Sequence, residues 1–105
     1  MSRRIIIRDE AFNDLDRCSA AIGEFAPHTS VRFLEEAQKA FQLIADMPGI
    51  GAPRDYNHAL RGIRMWPVSR FRNYLVFYVL DDAIEIVRVL HGSQDGQAIL
   101  TLAEG

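Results

Sequence analysis

FRNYLVFYVLDDAIEIVRVLHGSQD, residues 71 to 95, is the stretch whose reading decides the fold. Tyr74 to Leu80 is a near-continuous apolar run rich in aromatic and β-branched side chains, the composition of a pleated, buried strand. Asp81-Asp82 interrupts it, and a second β-rich run follows from Ile84 to Leu90. Two such runs around a short acidic break predict an antiparallel hairpin. The second run ends in His91-Gly92-Ser93-Gln94-Asp95, where polar groups and a glycine replace the apolar pattern. A polar tip on a rigid strand is a common place for chemistry or recognition.

Upstream of the hairpin, Arg3 to Arg8 reads as a short strand built on Ile5, Ile6 and Ile7. Asp9 is expected to cap a helix, with Glu10 in its first turn favoured by the helix dipole. Phe12, Leu15, Cys18, Ile22 and Phe25 recur at three- and four-residue spacing, one apolar stripe of that helix. Cys18 lies inside the stripe and reads as core. Ala26-Pro27 breaks the pattern, and a second helix is expected from about His28 to Met47. Its stripe is Val31, Leu34, Ala37, Phe41 and Ile44, widened by Phe33, Ala40 and Met47, while Glu35, Glu36, Lys39 and Gln42 fall mostly on the wet side.

The connection between the helices is short, so they form an antiparallel hairpin. Each has one apolar face, and a sheet is the only element left to cover it. Met47-Pro48-Gly49-Ile50-Gly51-Ala52-Pro53 then ends regular structure. A strand is expected from about Leu60 to Val68, with Pro67 marking an edge or an end. Asp95 to Leu102 could form a short helix that packs back. The order is β-α-α-β-β-β, a helical hairpin on a mostly antiparallel sheet, and the class is α+β.

At 105 residues the chain reads as a single domain, residues 1–105, burying roughly two-thirds of the surface its unfolded form would expose. The one cysteine suits a reducing, cytoplasmic setting, and no apolar run is long enough to cross a membrane. The formal net charge of −2 conceals an asymmetry. Arg54, Arg61, Arg64, Arg70 and Arg72 against Asp55 give residues 54–72 a balance of +4, leaving −6 elsewhere. Arginine suits bidentate contacts to carboxylate or phosphate. This basic run is therefore either ordinary solvated strand edge or a surface for an acidic partner or a phosphate backbone.

The order of motifs resembles the RelE/ParE superfamily of toxin–antitoxin toxins, and its ParE branch more than its RelE branch. The resemblance rests on the helical pair ending in Met47-Pro48-Gly49-Ile50-Gly51 and on Leu60-Arg61-Gly62 opening a strand. Asn73-Tyr74-Leu75-Val76-Phe77-Tyr78 follows, and Ile86-Val87-Arg88-Val89-Leu90-His91-Gly92 closes the match. It implies a hairpin on an antiparallel sheet in which the N-terminal strand also pairs. It further implies a type II toxin held inactive by a cognate antitoxin from an adjacent gene, as a hetero-oligomer. For a ParE-like member the implied target is DNA gyrase, inhibited by protein–protein contact, with DNA met only through gyrase or antitoxin. No cofactor or metal is implied.

RelE-like relatives are ribosome-dependent ribonucleases, the alternative reading. Cleaving RNA through its own 2′-hydroxyl needs a proton acceptor, cations for the phosphorane, and a donor for the leaving oxygen. Where RelE-like sequences tend to place arginine this chain has Leu75, and Gln94 stands near the position of their post-strand arginine. No tyrosine follows Tyr78, and the only lysine is Lys39. A divergent nuclease would have to rely on His91, oriented by Asp95, with His58, Arg61, Arg64 and Arg72. A third possibility is a non-toxic module that only binds antitoxin. The residues favour contact over catalysis, through Arg54, Arg61, Arg64, Arg70, Arg72, Trp66, Arg88 and His91. Trp66 and Tyr74 could also serve as stacking platforms for bases.

Overall fold

A computed structural model describes residues 2–54, 62–94, 96 and 99–100. Its elements are β1 (Ile5–Ile7), α1 (Asp9–Phe25), α2 (Pro27–Asp46), β2 (Ala52–Pro53), β3 (Arg64–Val68), β4 (Phe71–Leu80) and β5 (Ile84–His91). The sheet order is β1-β5-β4-β3-β2, with β1 parallel to β5 and the other pairs antiparallel. The α+β class and the helical hairpin on a mostly antiparallel sheet are as the sequence predicts. The two-residue β2 is an addition; of the strand expected over residues 60–68, β3 covers Arg64–Val68, while Leu60 and Arg61 lie outside the described residues. Of the helix expected over residues 95–102, Ile99 and Leu100 are helical, while Asp95 and Leu102 lie outside the described residues.

Alternation along β4 divides the molecule into two cores. Tyr74, Val76 and Tyr78 face the helices and meet Phe33, Ala40, Phe41 and Ile44 of α2. Leu75, Phe77 and Val79 face the other way, against Ile63, Val87, Leu90 and Leu100. A sheet apolar on both faces explains why Tyr74–Leu80 reads as an unbroken run. Phe33 is fully buried and fixes the helical layer at one end of the sheet. Its ring stands edge-on to Phe71 at 5.3 Å and tilted to Tyr74 at 5.0 Å.

Three local expectations are corrected. Arg8, not Asp9, is the N-cap of α1, and no side chain caps that end; Asp9 and Glu10 sit in the first turn. Phe12, Phe25, Val31, Leu34 and Met47 are exposed, although their spacing assigns them to the core. The sheet covers only part of each helix's circumference, and α1 turns Ala11 and Asp14 inward instead. Glu36, expected on the wet side, is buried with Lys39 beside it at 3.4 Å. Cys18 is half-buried against the helical-side core. Burial, reinforced by the Asp14 carboxylate, pushes its thiol pKa up, as suits a packing residue rather than a nucleophile.

Candidate functional site

The arginines read as one surface from the sequence have three different fates. Arg64 turns inward along β3: its Nη1 donates to the carbonyl of Gly51 at 2.7 Å and to that of Gly49 at 3.3 Å. Tyr78 completes this latch from β4. Its hydroxyl accepts the Gly51 N–H at 2.9 Å and donates to the Pro48 carbonyl at 2.6 Å. Burial raises the Tyr78 pKa, which keeps the phenol protonated for that second bond. The Met47–Gly51 turn is thus bound to the sheet by side chains where no backbone ladder reaches it.

Arg88 is committed as well. Its Nε and Nη2 donate to the two oxygens of Asp14 at 2.7 and 2.8 Å. The hydrogen bond to Asp14 raises the Arg88 pKa further above its ordinary value. Asp14 Oδ2 also accepts the Val89 N–H at 3.0 Å. A register shift at Phe77/Tyr78 leaves Val87 without a partner on β4. Beyond this bulge the outward N–H of β5 meets α1, because β1 pairs only as far as Ile86.

Arg54, Arg70 and Arg72 remain exposed. Arg70 holds a φ of 69° in the turn between β3 and β4. Arg54 Nη2 approaches the Met65 sulfur at 3.5 Å. Trp66 is half-buried against the helical-side core. Arg61 and His58 lie outside the described residues, as does Asp95, so the arrangement of His91 with Asp95 is not part of the described site.

His91 ends β5 and is half-buried. Its ring stands edge-on to Tyr74 at 4.9 Å. Nδ1 accepts the Ser93 N–H at 3.0 Å and lies 2.7 Å from the Ser93 hydroxyl. An Nδ1 that accepts from a backbone amide leaves the neutral ring's proton on Nε2. Gln94 folds back so that its Oε1 accepts the His91 N–H at 2.9 Å. On the sheet face away from the helices, a cleft of about 280 Å³ has a floor of Met65, Leu75, Phe77 and Leu90. Arg54, His91 and Gln94 stand at its rim. The floor is apolar, with the Arg54 guanidinium exposed at the rim.

Asp14 is the functional-scale residue that pattern reading overlooks. Its signal in the sequence is a carboxylate between Ala11 and Cys18, in register with the buried face of α1. Among the described residues no three metal-ligating side chains converge, and no helix is long and apolar enough to cross a membrane.

Residues 5–96 match the family model described as the ParE toxin of the type II toxin-antitoxin system, parDE. No curated protein matches the chain. Among solved structures, the fold is similar to a chain of the chromosomal ParDE toxin–antitoxin system from P. aeruginosa. That likeness has a TM-score of 0.70 at 15% identity and covers 86% of this chain and 96% of the other. At that identity it speaks for the fold alone.

Proposed function

Starting from the fact that this chain belongs to the ParE toxin family of type II toxin–antitoxin systems, we propose that it acts by contact on DNA gyrase and is neutralised by a cognate antitoxin. The observation that carries this reading is the apolar floor of the cleft on the sheet face away from the helices. Leu75 and Leu90 occupy it, and neither can stabilise a phosphorane, a contribution of a few kcal/mol per missing group. Two of the arginines nearest the sheet are also withdrawn from solution chemistry, Arg64 by the loop carbonyls and Arg88 by Asp14.

The exposed Arg54, Arg70 and Arg72 supply the contact surface in this reading, with an acidic segment of antitoxin or target as their complement. Charge of this kind sets the rate of association and its salt dependence more than the final affinity. Expression with and without the adjoining gene tests the proposal. Filamentation and a DNA-damage response without the neighbour, relieved with it, are the expected result. Rapid translation arrest with intact replication would overturn it.

A further inference from the structure

We propose that the outward seam of the α1–α2 hairpin is a docking surface for a basic amphipathic helix. The seam carries Phe12, Val31 and Leu34 at 52%, 58% and 41% exposure, and Phe25 at its tip is 91% exposed. Each belongs to an apolar stripe by spacing, yet none is taken up by the sheet. Clustered large apolar side chains that remain in water mark an interaction surface more often than isolated ones do.

The geometry makes these residues neighbours. The helices approach closely at Gly23, where a Cβ would lie 3.4 Å from the Ser30 Cβ. Val31 follows Ser30 directly, and Leu34 lies one turn further along the same flank. The helices are antiparallel, so Ser19 is level with Leu34. Phe12, seven residues before Ser19 on the same side of α1, lies about 10 Å further down the seam. A seam between two antiparallel helices accepts the ridge of a third. The backbone donors and acceptors of both helices are already paired internally, which favours side-chain docking over strand addition.

Charge selects the occupant. From Asp9 to Asp46 there are eight acidic residues against three basic ones, a balance of −5, which leaves +3 for the rest of the chain. Setting aside the buried Asp14 and Glu36, the two helices that form the seam still carry six exposed carboxylates against Arg17, Arg32 and Lys39. A helix with an apolar stripe and a lysine- or arginine-rich remainder meets both properties, whereas an acidic helix would be repelled.

The test uses the full chain and a synthetic amphipathic peptide of leucine and lysine, beside a counterpart with glutamate in place of lysine. Amide chemical shifts should move along α1 and α2, with the lysine peptide binding at least about tenfold more tightly at low salt. The double variant Val31→Ser/Leu34→Ser, at exposed positions, should keep the wild-type melting temperature and lose about tenfold in affinity. Equal binding of the two peptides, absence of binding, shifts confined to the sheet, or unchanged affinity of the double variant would overturn the proposal. So would sedimentation showing that the seam pairs with a second copy of the chain. Toxicity and gyrase inhibition are not read in this experiment, so its outcome is separable from the proposed function.

Discussion

Asp14 on α1 holds Arg88 on β5 through two charge-assisted hydrogen bonds, at 2.7 and 2.8 Å, and accepts the neighbouring Val89 N–H with the same carboxylate. One buried side chain therefore pins the first helix to the strand beyond the reach of β1. Removing one partner of such a pair strands the other in low dielectric. Asp14→Ala should cost about 3–5 kcal/mol, read from the urea midpoint. Asp14→Leu combined with Arg88→Met should recover much of that loss, leaving about 1–3 kcal/mol for the unpaired Val89 N–H. A single-variant loss under about 1 kcal/mol would mean the contact is not a clamp.

The Met47–Gly51 turn is held to the sheet by Tyr78, and the fit leaves no room. A Cβ at Gly51 would lie 2.6 Å from the Tyr78 hydroxyl and 2.7 Å from its ring. Gly51→Ala should destabilise the fold by about 1–3 kcal/mol through this overlap. Tyr78→Phe should cost about 1–2 kcal/mol by freeing the Gly51 N–H. The combination should cost less than the sum, because the hydroxyl contact is then already gone. Strict additivity in the double-mutant cycle would refute the overlap.

Arginines that look alike in sequence should separate by measurement. Arg54→Ala and Arg72→Ala should change stability by no more than about 0.5 kcal/mol and reduce the salt dependence of antitoxin binding. Arg64→Ala should destabilise the protein, since its guanidinium bridges the Gly49 and Gly51 carbonyls. Arg70 is distinct again: its φ of 69° favours glycine, so Arg70→Gly should be stabilising by up to about 1 kcal/mol. Thermal melts of the four variants distinguish these outcomes.

Alkaline pH should weaken the fold in two stages. Burial raises the pKa of Cys18 from 9.0 and that of Tyr78 from 10.0. Each therefore holds its proton more tightly folded than unfolded. Their contribution is complete below the unfolded values and declines as pH rises from there through the folded ones. The melting temperature should start to fall above about pH 9, and Cys18→Ala should remove that first part of the decline. An unchanged pH profile in Cys18→Ala would contradict a raised thiol pKa.

How much of this was legible in the sequence depends on which force placed each residue. The β4–β5 hairpin was legible because two β-rich runs flank Asp81-Asp82, and local pattern suffices there. The rotation of α1 was not, because Phe12 and Ala11 differ by one position, and only contact with the sheet decides which turns inward. Asp14 was hidden because its partner lies 74 residues away on β5. Arg64 and Arg72 share a composition argument that cannot tell a latched guanidinium from a free one. The weak points were thus contacts made at long range, apolar packing on the sheet as well as polar pairs, which local pattern does not encode.

His91 supplies the sharpest test of contact against catalysis. Its Nδ1 is occupied by Ser93, and Nε2 is left to carry the neutral ring's proton, while the ring packs on Tyr74 at the helical side of the sheet. A nuclease dependent on this ring would lose about 100-fold or more in rate on His91→Ala. A docking protein loses only the edge contact with Tyr74 and a small part of its interface. His91→Ala should therefore keep toxicity within a few-fold in a growth assay, and programmed ribosomes should show no mRNA cleavage with either form. Toxicity abolished in a variant that melts like wild type would favour the ribonuclease reading. Mapping of mRNA ends would then locate the cut.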